Sequence, residues 1–156
     1  MTISFIAVGK PKARWVSAAL ADYERFLRKY TKVEWEWLRP YSRSSKTAAQ
    51  IRAAEAVAIQ SVLRRQVAFT VVCDHRGEAM DSEDFARRWR KGLDSHGGHA
   101  RIIVGGAWGL EAKLIREADL VWSLGPQTMA HELTLVVAAE QIARAFSILR
   151  GDSYHK

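Results

Sequence analysis

The chain has 156 residues, 48% of them hydrophobic and 26% charged, a composition that excludes disordered and fibrous chains and suits one domain over 1–156 with a single good core. Its longest apolar stretches, such as 133–139, fall short of the roughly 20 residues of a bilayer span, and the Met1-Thr-Ile-Ser-Phe5 start lacks the basic head of a signal peptide, so a cytoplasmic protein without membrane contact is expected. A formal net charge of +7 points to a polyanionic partner, and a lone cysteine, Cys73, leaves neither an internal disulfide nor a thiolate zinc cluster.

From the N-terminus, 3–8 is a continuous apolar run closed by Gly9 and Pro11, the pattern of a strand buried on both faces of a parallel sheet. Over 13–28, Trp15, Ala18, Ala19, Tyr23, Phe26 and Leu27 recur at helical spacing, which predicts an amphipathic helix with Arg14, Asp22, Arg25 and Arg28 on its other face. Val33-Glu-Trp-Glu-Trp-Leu38 alternates with period two, as a half-exposed strand near a sheet edge does, and Pro40 stops it. A polar, basic loop over 41–47 leads into an alanine-rich helix over 48–64.

The pattern next predicts a buried strand over 69–74, a loop from His75 to Glu78, and a helix capped by Asp81 or Ser82 and striped by Phe85, Trp89 and Leu93. A strand over 102–104, a short helix over 111–117, a strand over 120–123 and a terminal helix over 131–149 complete the chain. Strands alternating with helices specify an α/β domain, a mainly parallel sheet flanked by helices, in which ligands sit beyond the carboxyl ends of the strands.

Three places carry candidate chemistry. Gly105, Gly106 and Gly109 stand between a strand and a helix, where missing side chains let backbone groups approach a ligand, although the same glycines also make a tight turn. A dinucleotide fingerprint is a poor match, because the GxGxxG frame is broken and the motif follows the fourth strand. After the fifth strand, Leu124-Gly-Pro-Gln-Thr-Met129 turns abruptly at Gly125-Pro126, offering backbone groups to an adenine edge and apolar cover to its faces, or simply a turn. The finish Tyr154-His155-Lys156 gathers a ring, a base and a cation, in a position where polar tails ordinarily fray.

Other residues have plainer readings. His131 opens the terminal helix as a cap or a polar contact, and Arg144 is spaced to pair with Glu140. Cys73 reads as a small apolar filler, and Trp35, Trp37 and Trp89 as core or interface residues. The five histidines lack metal-ligand spacing, so no metal is expected.

The strand ending Gly105-Gly106 with Gly109, Ser123-Leu124, Thr128-x-x-His131, Glu140-Gln141 with Arg144-Ala145, and the Tyr154-His155-Lys156 finish together resemble the RlmH family. These are small SPOUT-class methyltransferases that modify a pseudouridine of bacterial 23S ribosomal RNA. The likeness extends over the whole length, including Phe5-Ile-Ala-Val-Gly9, the helix around Trp15 to Tyr23, and Val72-Cys-Asp74 with Arg76-Gly77.

The resemblance implies a SPOUT-like fold with a C-terminal trefoil knot, and methylation of N3 of the pseudouridine on the large subunit or whole ribosome, by a homodimer without metal. It implies that S-adenosyl-L-methionine lies against Cys73, Gly105, Gly106 and Leu124, Gly125, Pro126, Gln127, Thr128 and Met129. It assigns the catalytic set to His131, Arg144, Tyr154 and His155, with the tail reaching the partner subunit's cofactor pocket.

Arg25, Arg28, Arg43, Lys46 and Lys156 are the expected RNA contacts, chosen because they place cations near polar or aromatic groups. The chain departs from the family pattern at Ala130, Leu135 and Ala143, where relatives usually carry proline, arginine and tyrosine. Those departures keep a non-catalytic RNA- or ribosome-binding module as the alternative, with an α/β enzyme for a small nucleotide behind it.

Overall fold

The computed structural model describes residues 1–41, 46–152 and 154. Five strands and five helices alternate: β1 (Thr2–Val8), α1 (Arg14–Leu27), β2 (Lys32–Leu38), α2 (Ala48–Leu63), β3 (Phe69–Ala79), α3 (Ser82–Ser95), β4 (His99–Val104), α4 (Ala112–Arg116), β5 (Leu120–Ser123) and α5 (His131–Arg150). The strands pair in the order β2-β1-β4-β3-β5 and every pairing is parallel, as the continuous apolar runs of β1 and β4 imply.

Side chains alternate between two apolar layers. Ile3, Phe5 and Ala7 face a core built with α1, α3 and α5, where Trp89, Leu135 and Ile142 are fully buried. Ile6, Val8, Val72 and Ile103 face a smaller core under α2 and α4. β2 is an edge strand as its alternation predicts, and Trp35 stacks on Phe5 and on Trp37. No described helix is long and apolar enough to cross a membrane.

The main difference from the sequence reading lies at 75–78. The expected loop there is strand: β3 runs on to Ala79, and its register against β5 shifts between Cys73 and Glu78. Gly77 makes this possible, since a Cβ there would lie 2.5 Å from the carbonyl oxygen of Val121. Polar Asp74, His75 and Arg76 disguise the strand, because an irregular stretch that rises off the sheet needs no apolar alternation. β4 also begins earlier than expected, at His99.

Caps follow local chemistry. Asp81 rather than Ser82 caps α3, accepting from the Asp84 amide at 2.8 Å. Thr47 and Gln50 form a reciprocal capping box on α2. α5 has Ala130 at its N-cap and no side-chain cap, so His131 does not serve as one.

Candidate active site

A cavity of about 540 Å³ opens at the carboxyl ends of β3, β4 and β5. Cys73, Gly105 and Gly106 line one side of it, and the segment 124–129, Pro126 excepted, lines another, with His131 between them. The amide of Gly109 donates to the Gly106 carbonyl at 3.0 Å and closes the first turn. A Cβ on Gly105 would meet the Leu110 side chain at 2.8 Å, so the turn is packed from behind. The second turn is pinned by Ser123, whose hydroxyl accepts from the Gly125 amide at 3.2 Å and lies 3.3 Å from the His75 carbonyl.

His131 ties both turns together. Its Nδ1 lies 2.7 Å from the carbonyl oxygen of Gly105, while Nε2 is buried and meets no hydrogen-bonding partner among the described residues. Beside it, Glu132 accepts from the amides of Lys12 and Ala13 at 2.9 and 3.2 Å, which fastens α5 to the approach to α1. Those two amides hold the Glu132 carboxyl below its ordinary range.

Sequence reasoning passed over Asp74 and His75, which also line the cleft. Asp74 accepts from Arg76 through the backbone amide, Nε and Nη2 at 3.0, 2.8 and 2.9 Å, and the guanidinium depresses its pKa. Cys73 is the filler its position suggests, its thiol pushed up to about 12 by burial and by the Asp74 charge. The most consequential omission is Glu55 on α2, buried beneath Gly106. Its signal was present, a carboxylate on the same helical stripe as Ile51 and Ile59.

The remaining catalytic candidates stand elsewhere in the chain. Arg144 follows His131 by thirteen residues of α5, about 20 Å along a helix. There it binds Glu140 at 3.0 and 2.5 Å, and its guanidinium carbon lies 5.1 Å from the centre of the Tyr154 ring. Tyr154 also touches Glu140 at 3.3 Å and packs against Phe26, and burial raises its hydroxyl pKa. One chain therefore holds the Arg144–Tyr154 pair well along α5 from His131.

Arg25 and Arg28 lie on the solvent face of α1, paired with Asp22 at 3.1 Å and Glu24 at 2.6 Å. Such surface pairs are worth roughly 0–1 kcal/mol, so they leave both cations open to a polyanion. Lys46 is exposed at the approach to α2. Arg43, His155 and Lys156 lie outside the described residues. Among the described residues no cluster of three or more His, Cys, Asp or Glu could hold a metal.

The family model described as "Predicted SPOUT methyltransferase" matches residues 1–155. The chain belongs to this family of methyltransferases. Over its whole length it is similar to proteins named "Ribosomal RNA large subunit methyltransferase H". The one from Acetivibrio thermocellus is 32% identical, with 100% of both chains covered. The one from Hydrogenovibrio crunogenus is 35% identical, with 100% of this chain and 99% of that protein covered. These relatives agree with the RlmH resemblance.

The crystal structure of a probable methyltransferase from Bordetella pertussis Tohama I superposes with a TM-score of 0.56 over 92% of this chain and 93% of that one. At 16% identity it supports the SPOUT-like fold alone. Of the three positions where the resemblance expects other residues, Ala130 lines the cleft. Leu135 and Ala143 are fully buried in the larger core, and neither lines the cleft.

Proposed function

We propose that this methyltransferase transfers a methyl group from S-adenosyl-L-methionine to N3 of a pseudouridine in 23S ribosomal RNA, on the large subunit or whole ribosome. It does so as a single-domain chain in a cytoplasmic homodimer. The observation that carries the reading is the convergence of two glycine turns and His131 on one cleft at the strand ends. The names of the full-length relatives supply the large-subunit rRNA substrate.

The cleft suits the donor. Its volume of about 540 Å³ is in the range of small-molecule sites. Bare backbone at Gly105, Gly106 and Gly125 can meet an adenine or carboxylate edge, while Leu110, Leu124 and Met129 offer apolar cover. When bound, S-adenosylmethionine supplies an electrophilic methyl group on a sulfonium.

This chain's residues then have two tasks, to align the acceptor nitrogen with that methyl and to accept or offset the imide proton. His131, anchored through Nδ1 and part of the cleft lining, holds the wall against which the base is oriented from within the same chain. Cys73 takes no part as a nucleophile, since a thiol held near 12 stays protonated.

In this reading Arg144, Tyr154, His155 and Lys156 reach the cleft of the partner subunit. The length of α5 that separates Arg144 from His131 supports completion in trans. So do Trp15 and Leu133, 58% and 40% exposed, apolar groups on the helices that Glu132 joins and candidates for burial between copies. The family's trefoil knot belongs to the same proposal, supported by the way 124–131 returns to share a cleft with 105–110.

Titration calorimetry with S-adenosylmethionine and S-adenosylhomocysteine tests the donor, and absence of binding to both would discard it. Transfer of labelled methyl to ribosomes, compared with naked rRNA, then separates the substrate classes.

A further inference from the structure

Glu55 is 7% exposed and shares a buried helical stripe with Ile51, Ala56 and Ile59. Its Oε1 accepts one long hydrogen bond, 3.3 Å from the Tyr41 amide, whereas Oε2 is buried and finds no hydrogen-bonding partner among the described residues. A buried carboxylate oxygen without a donor is costly, and natural folds keep such groups where something else requires them.

What the carboxylate does touch is the cleft wall. A Cβ on Gly106 would lie 2.9 Å from Oε2 and 3.3 Å from Oε1, so the carboxylate packs directly behind the turn that lines the cavity. Asp74, the other carboxylate at the cleft, is already neutralised by the Arg76 guanidinium. No lysine or arginine forms an ion pair with Glu55 among the described residues, and His131 stands across the turn with its Nδ1 on the Gly105 carbonyl. Among the described residues Glu55 is thus a carboxylate without a cationic partner, one backbone thickness from the cleft.

We infer that Glu55 sets the charge selectivity of the cleft, favouring a cationic donor over its neutral product through the backbone of Gly106. The inference rests on the reading of S-adenosylmethionine as donor. Donor and product share the adenosine and amino-acid ends and differ where the reaction occurs: the donor has a sulfonium cation, and S-adenosylhomocysteine a neutral thioether. Polar contacts to the shared ends cannot tell them apart. A fixed charge in a poorly solvated wall can, and at a separation of several ångströms it is worth about tenfold in affinity. Glu55 would thereby ease product release without touching the reacting atoms, as a specificity-determining residue behind the site.

The test is calorimetric. Glu55→Gln keeps the side chain's shape and its acceptor for the Tyr41 amide while removing the charge. Dissociation constants are measured at about pH 8, well above the ordinary carboxylate range, for three ligands: S-adenosylmethionine, sinefungin, which carries an ammonium near the sulfonium position, and S-adenosylhomocysteine. The expected result is about tenfold weaker binding of the two cations by the variant, with the thioether changed by less than about twofold. Equal losses for all three ligands, or no loss for any, overturn the inference. Glu55→Asp, which retains the charge, should keep a preference for the cations, and its failure to do so counts equally against it. Should the parent protein bind none of the three, the donor reading itself falls and takes this inference with it.

Discussion

The imidazole Nδ1 of His131 lies 2.7 Å from the carbonyl oxygen of Gly105, joining the first turn of α5 to the end of β4. A carbonyl can only accept, so Nδ1 is the donor and the ring is held in one orientation. His131→Ala removes the tie and leaves the turn free to relax. About five- to tenfold weaker binding of S-adenosylmethionine is expected from the loss of one hydrogen bond. Calorimetry checks this, and parent-like affinity would mean that the turn keeps its shape without the imidazole.

Gly106 allows no side chain. In Gly106→Ala the new methyl would meet Glu55 Oε2 at 2.9 Å and Val8 Cγ1 at 3.2 Å, and both are packed in place. Overpacking of this kind typically costs about 1–3 kcal/mol. A lower melting temperature and weakened donor binding should appear together, and a variant with both unchanged would show that the wall yields.

Separation of His131 from Arg144 and Tyr154 along α5 makes the trans arrangement directly testable. Mixed dimers would combine one chain ending at Gly151 with one carrying His131→Ala. Each homodimer should be nearly inactive in methyl transfer to ribosomes. The mixed dimer restores one complete site if the tail serves its partner, and stays inactive if each tail serves its own chain.

Asp74 and Glu132 both have depressed pKa values, one from the Arg76 guanidinium and the other from the Lys12 and Ala13 amides. A depressed folded value means that the unfolded chain takes up protons first as pH falls. The stabilisation is therefore complete above the unfolded carboxylate range, about pH 4, and is lost as pH drops through the folded values. Melting temperatures of Asp74→Asn should fall below the parent's at neutral pH and converge with them in acid. A gap that persists unchanged at low pH would assign the effect to packing rather than charge.

Glu55 has the opposite sign. Burial outweighs the Tyr41 amide and His131 and raises its pKa, so the folded state holds this proton more tightly than the unfolded chain does. Its ionised form weighs against the fold above the folded pKa and is relieved as pH falls through that value. Glu55→Gln should melt higher than the parent at about pH 8, with the advantage shrinking toward the carboxylate range. A variant that melts lower at all pH values would contradict this.

Much of this architecture is visible in the residues themselves. Continuous apolar strands, the period-two pattern of β2 and the glycines after β4 suffice to expect a parallel sheet with a cleft at its carboxyl end. The extension of β3 through His75 and Arg76 escapes such reading, because its pairing to β5 depends on Gly77 meeting a strand 44 positions away. Glu55 escapes for a similar reason. Helical spacing puts it on the buried stripe, but its contact with Gly106 exists only once α2 has crossed the sheet. The distance between His131 and Arg144 follows from helix rise over thirteen residues, yet the sequence motifs group the two in a single catalytic set, because a motif carries no length along the helix axis.

Both flanks of the sheet are guarded against strand addition. At one flank β2 carries Lys32, Glu34 and Glu36 on alternate positions, with Lys32 and Glu34 paired at 2.7 Å, so an incoming strand would meet charge. At the other, β5 is only 4 residues long and offers too short a ladder to template a neighbour. Crowded copies of this chain are thereby steered away from edge-to-edge aggregation, and whatever brings two of them together must use helices and loops instead.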